Sequence, residues 1–128
     1  MLIMKNTVHD SEILSYHADF ENSQLIMFVK DEENRKYKVI FEGLLTFCFE
    51  HQMSNSIILD IVKGEVSSFI SEKSILLSEG KNYFWPLDYE SEDELLNYLN
   101  EKKLNYYELQ ASYGLNGWIL CSHYHIEL

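Results

Sequence analysis

Residues 106–128 constrain the fold more than any other stretch. Tyr106-Tyr-Glu-Leu-Gln-Ala-Ser-Tyr113 and Trp118-Ile-Leu-Cys-Ser-His-Tyr-His-Ile-Glu-Leu128 are rich in strand-forming residues and flank the turn signal Gly114-Leu-Asn-Gly117. They read as a closing β-hairpin. A terminus in which Trp118, Leu120, Tyr124 and Ile126 alternate with other residues would not be left loose in water, so the last residues belong to the fold.

Upstream, the alternation from Val8 to Phe20 predicts a half-buried strand, with Val8, Leu14, Tyr16, Ala18 and Phe20 on one face and His9, Ser11, Ile13, Ser15 and His17 on the other. Leu25-Ile-Met-Phe-Val29 and Lys36–Phe41 flank a charged connection, Lys30–Lys36, that invites a hairpin. Gly43 marks an expected bulge or bend before Leu44-Leu-Thr-Phe-Cys-Phe49. These four segments suggest an antiparallel meander. Ile57-Ile-Leu-Asp-Ile-Val62, rich in β-branched residues and bounded by Gly64, suits a central strand, with Asp60 its weak point. Residues 65–79 fit a short helix or an irregular turn.

One helix announces itself. Ser91-Glu-Asp-Glu94 matches a capping box, acids crowd the positive end, Lys102 and Lys103 sit at the negative end, and Leu95, Leu96 and Leu99 form a stripe. The expected class is therefore α+β, mainly antiparallel β-sheet (a meander plus the C-terminal hairpin), with one clear helix near residues 91–103, in a single domain over residues 1–128.

Ten basic against 21 acidic residues leave a formal charge of −11, which repels phosphate backbones and argues for a basic partner rather than nucleic acid. Met1-Leu-Ile-Met-Lys-Asn6 lacks a continuous apolar h-region, and no apolar run approaches membrane-spanning length, so a cytoplasmic protein without membrane contact is expected. Cys48 and Cys121 lie among apolar strand residues and read as buried, reduced thiols.

No reaction signature emerges. His9-Asp10-Ser11 brings triad residue types together, but adjacent strand residues point to opposite faces. His9 and His17 share one face, as do His123 and His125, yet a zinc site needs three or four converging ligands. Neither a metal nor any other cofactor is expected, and the reading is non-enzymatic. The acids Asp88, Glu90, Glu92, Asp93 and Glu94 stand beside Tyr83, Phe84, Trp85, Leu87 and Tyr89, a pairing of aromatic anchors with a charged rim that suits a protein interface. Tyr83, Trp85, Asp88, Tyr89, Glu90 and Asp93 are the candidate partner-binding residues.

His9-Asp10-Ser11, Asn55-Ser-Ile-Ile-Leu-Asp60, Trp85-Pro86 and Tyr113-Gly-Leu-Asn-Gly-Trp118 together make the chain resemble a group of small proteins of Gram-positive bacteria, some associated with immunity to secreted polymorphic toxins. The resemblance implies a stoichiometric inhibitor whose acidic surface covers a basic toxin domain. It transfers no active site. Two alternatives come from other classes: a small-molecule or metal-binding domain using His9, His17, His123 or His125, and a homo-oligomeric structural protein pairing through a sheet edge.

Overall fold

The structure is a computed structural model that describes residues 8–128. The segment Met1–Asn6, on which the signal-peptide expectation rests, lies outside the described residues. Strands β1 (Glu12–Asp19), β2 (Gln24–Lys30) and β3 (Lys36–Glu42) form the expected antiparallel meander, and the Lys30–Lys36 connection is a hairpin tip. Asp31 organises that tip: its buried carboxylate accepts from the backbone N–H groups of Glu33 and Arg35 at 2.9 and 3.0 Å and from Arg35 Nε at 2.9 Å. Here burial opposes the charge, but the converging N–H donors outweigh it and hold the carboxyl below its usual range.

The meander stops at three strands. Strand β4 (Thr46–Glu50) does not fold back on β3; it continues past a bend at Gly43 (φ 65°) and pairs with β7 (Asn116–Cys121). The chain bends again at Ser122, where β7 passes into β8 (His123–Glu127), and β8 pairs with β3. Ser122 N–H donates to the Glu42 carbonyl at 2.8 Å and Leu45 N–H to the Leu120 carbonyl at 2.9 Å, so β3–β4 and β7–β8 run side by side through both bends. A side chain at position 43 would strike Ser122, and the backbone there is left-handed; glycine meets both demands.

Strands β5 (Ile57–Gly64) and β6 (Asn105–Tyr113) complete an eight-stranded sheet in the order β4-β7-β6-β5-β1-β2-β3-β8, with every pairing antiparallel. Because the strands at the two ends of this order are direct continuations of β3 and β7, the sheet rolls up on itself. Its inner face holds one core, drawn from every strand and including Ile13, Met27, Phe41, Phe49, Ile58, Leu109 and Ile119.

Helices α1 (Val66–Glu72), α2 (Ser74–Gly80) and α3 (Glu92–Glu101) build a second core against the outer face of β4, β7 and β6, where Phe69, Leu77, Leu95 and Leu99 meet Tyr106, Trp118 and Leu120. The fold is α+β and mostly antiparallel sheet. It contains three helices among the described residues, not one: residues 66–80 are helical although neither short helix has a side-chain N-cap to advertise it, and burial of Phe69, Ile70 and Leu77 holds them in place. Helix α3 starts as expected. Ser91 Oγ accepts from Glu94 N–H at 3.2 Å, and Glu94 Oε2 accepts from Glu90 N–H at 3.0 Å.

Two face assignments reverse. The β1–β2 register shifts between Ile13 and Ser15, so Leu14 is a bulge residue turned outward, Ile13 faces the core and Phe20 sits in an exposed turn. At the C-terminus, Trp118 and Leu120 face the helices while Tyr124 and Ile126 pack against the inner core, because the bend at Ser122 changes which face the same alternation serves. Among the described residues no helix is long and apolar enough to cross a membrane.

Candidate functional site

The segment joining α2 to α3 carries five of the six candidate partner-binding residues, and the sixth, Asp93, lies in the first turn of α3. The segment begins with a 3-10 turn, Lys81–Tyr83, and ends at Ser91, the cap of α3. Trp85 pins it to the sheet: its Nε1–H donates to Thr46 Oγ1 on β4 at 2.9 Å, and its ring packs on Trp118 with centroids 6.0 Å apart. Gly80 allows this approach, since a Cβ there would run into the Trp85 ring. Half-buried Trp85 therefore acts as the segment's anchor, not as a free contact residue.

With Trp85 held, the preceding aromatics cannot reach the core. Phe84 takes a left-handed conformation (φ 57°, ψ 34°) and is 69% exposed, and Tyr83 is 83% exposed. A bulky residue in that region is strained by about 1–3 kcal/mol, and such strain persists only where surrounding structure imposes it. Tyr83 and Glu79 join Phe47, Cys48, Leu76, Gly80 and Trp85 in lining an apolar cleft of about 370 Å³.

Tyr89 departs from the expected site. It is 6% exposed and packs with Leu95, Leu99 and Phe69, so its ring is withdrawn from any partner. Lys81 closes over it, with Nζ 4.4 Å from the ring centroid and donating to the Glu90 carbonyl at 2.9 Å. Burial, reinforced by Glu92, raises the Tyr89 hydroxyl pKa. Asp88, Glu90 and Asp93 are exposed. Asp88 and Asp93 share a groove of about 650 Å³ with Glu94 and Glu101, against Leu87 and Tyr98; among the described residues no cation lines it, although Lys102 Nζ lies 5.9 Å from the Tyr98 ring centroid.

The structure thus brings Asp88 and Asp93 together, leaves Tyr83 projecting, turns Glu90 toward the neighbouring α2 side, holds Trp85 half-buried in the wall of the apolar cleft, and buries Tyr89. Phe84 is the residue that the candidate set lacks. Its signal was the adjacency of two aromatics before a proline: once Trp85 is taken inward, Phe84 has no core left to reach.

The other candidate chemistry disperses. His9-Asp10-Ser11 forms a turn before β1, where His9 Nε2 lies 3.2 Å from Asp10, but the buried Ser11 hydroxyl hydrogen-bonds to Tyr37. His123 and His125 stack on the outer face of β8 with centroids 6.3 Å apart, and His125 bonds to Glu127 at 2.9 Å. Among the described residues no three His, Cys, Asp or Glu side chains converge as metal ligands. Cys121 is buried in the inner core, its thiol pushed up to about 12 by burial, whereas half-buried Cys48 faces the helices; both are free. No family model matches the chain, and no curated protein matches it at significant similarity.

Proposed function

We propose that this protein is a non-catalytic binding protein that inhibits a basic partner, a toxin domain, through the surface between α2 and α3. The observation that carries the reading is the presentation of Tyr83 and Phe84, 83% and 69% exposed, on a segment locked by Trp85 that leads within a few residues into a groove with four carboxylates. Exposed aromatics on a rigid support lose little conformational freedom on binding and serve as anchors that slow dissociation. The carboxylates of the groove speed encounter with a basic surface, an effect that weakens with salt. The resemblance to proteins associated with toxin immunity, carried by residues such as Trp85-Pro86 and Tyr113–Trp118, supports a toxin as that partner.

The test is affinity capture from the native lysate at low and high salt, followed by binding kinetics and co-expression with whatever is captured. A stoichiometric basic protein is expected, neutralised by the wild type. Asp88→Lys/Asp93→Lys should slow association roughly tenfold at low salt, and Tyr83→Ser/Phe84→Ser should mainly hasten dissociation. Recovery of the protein alone at both ionic strengths, or full inhibition by the charge-reversed variant, would overturn the reading.

A further inference from the structure

Among the described residues, the wall of the rolled sheet formed by β1, β2 and β3 carries no helix against it, and its cleft is lined by lysines where the groove at α3 is lined by carboxylates. The bulge in β1 turns Leu14 onto this outer face, where it is 42% exposed. Next to it, Ser15, Phe28 and Lys38 stand opposite one another on consecutive strands, and Lys36 follows on the same face of β3. Leu14, Ser15, Phe28, Lys36 and Lys38 line a cleft of about 310 Å³, with Lys38 Nζ 6.0 Å from the Phe28 ring centroid.

The lysines of this cleft are left over from the surrounding charge pairs. Lys30, opposite Lys36, lies 3.8 Å from Glu12; Arg35 is held by Asp31 and Glu33; Glu127, opposite Lys38, is bonded by His125. Among the described residues neither Lys36 nor Lys38 forms an ion pair. In a chain of net charge −11, Lys36, directly across from Lys30, and Lys38, across from Glu127 but in no ion pair with it, stand beside an apolar floor, an arrangement that an anion would stabilise.

We infer that this cleft binds a small amphipathic anion: a single carboxylate, sulfonate or phosphate on an aromatic or branched aliphatic body. The volume lies at the lower end of small-molecule sites, which span roughly 300–1,000 Å³. Leu14 and Phe28 receive the apolar body while Lys36 and Lys38 hold the charge, as mobile point charges without the planar fork of arginine. The surroundings exclude larger polyanions. Glu12 and Glu127 flank the lysines, and the overall charge repels an acidic polypeptide or a nucleic acid extending beyond the cleft. This site is independent of the α2–α3 surface, from which it differs in wall, elements and sign of charge.

The probe is 1-anilinonaphthalene-8-sulfonate, titrated into the full chain and followed by fluorescence and by amide shifts in proton–nitrogen NMR spectra. Saturable one-to-one binding is expected, with shifts centred on Leu14, Phe28, Lys36 and Lys38. Lys36→Gln/Lys38→Gln should weaken it roughly tenfold or more, Leu14→Ser should also weaken it, and Tyr83→Ser/Phe84→Ser should leave it unchanged. Shifts centred on the Tyr83 cleft, an affinity within about twofold of wild type in the double glutamine variant, no saturable binding, or probe-induced self-association would each overturn the proposal. None of these results depends on the toxin-binding reading.

Discussion

Gly117→Ala tests the packing on which both the fold and the α2–α3 surface depend. Gly117 lies in β7 opposite Phe49 of β4, and its φ is not in the left-handed region, so its backbone tolerates alanine. Without a clash the change would stabilise the chain by about 0.4–1 kcal/mol through the unfolded state. The structure supplies the clash. A Cβ at position 117 would lie 2.9 Å from the Cys48 carbonyl carbon and the Phe49 Cα, with the Cys48 oxygen nearer still. Carbon atoms pack at about 3.5–4.0 Å, so β4 must retreat by at least ~0.6 Å. Overpacking of this kind costs about 1–3 kcal/mol, and lengthening one or two ladder hydrogen bonds adds roughly 0.5–1.5 kcal/mol each. Subtracting the unfolded-state gain leaves a net loss of about 2 kcal/mol, or roughly 8 °C in Tm for a chain of this size. Urea unfolding followed by circular dichroism measures it. Since Thr46 on β4 accepts the Trp85 bond, tryptophan fluorescence should shift too. A variant as stable as wild type, or more stable, would refute the close β4–β7 approach.

The hairpin tip makes stability depend on acid. The folded pKa of Asp31 is depressed, so its stabilisation is present above the usual aspartate value and is lost as pH falls through the lower folded value. Asp31→Asn should therefore be less stable than wild type at neutral pH, and the gap should narrow on acidification below about pH 4; a constant gap across an acid titration would contradict it. Removing the α3 cap with Ser91→Ala should cost about 1 kcal/mol by denaturant unfolding, and no measurable loss would mean that the Ser91 bond is dispensable. Cys121, pushed up to about 12, should resist maleimide under native conditions and react on unfolding, as peptide mass mapping would show. Rapid native labelling would place that thiol outside the core.

Local signals survived from sequence to structure better than distant ones. The Ser91 cap was legible because its donors and acceptors lie within four residues. The β1–β2–β3 meander was legible because alternation and a charged connection are local too. What failed depended on partners far along the chain: nothing in Thr46–Glu50 says that it pairs with residues 116–120 rather than with β3. The bulge at Leu14 shows how one extra residue reverses a face, since strand alternation has period two. For the candidate site, the charge of Asp88 and Asp93 could be read directly. The split between exposed Tyr83 and Phe84, half-buried Trp85 and buried Tyr89 could not, because it follows from one bond to Thr46 and one left-handed residue.

The net charge of −11 conceals a segregation that the fold creates. Four of the ten cations, Lys30, Arg35, Lys36 and Lys38, fall on β2 and β3 and their connecting turn, where they balance Asp31, Glu32, Glu33 and Glu42, whereas Asp88, Glu90, Glu92, Asp93 and Glu94 crowd the approach to α3 on another wall. A basic partner is thus drawn more strongly to the acidic approach to α3 than to the charge-balanced β2–β3 wall, so the field orients the encounter before any contact forms. Lys36→Glu/Lys38→Glu isolates that contribution, because these side chains lie outside the proposed partner surface. At low ionic strength the variant should associate faster with a basic partner through the added long-range attraction. The gain should fade near physiological salt, where the screening length is about 8 Å. Its dissociation rate should not move, since dissociation follows contacts that the substitution does not touch. Stopped-flow association at two salt concentrations decides the matter: a changed dissociation rate would place the lysine wall inside the interface and undo the separation of the two surfaces.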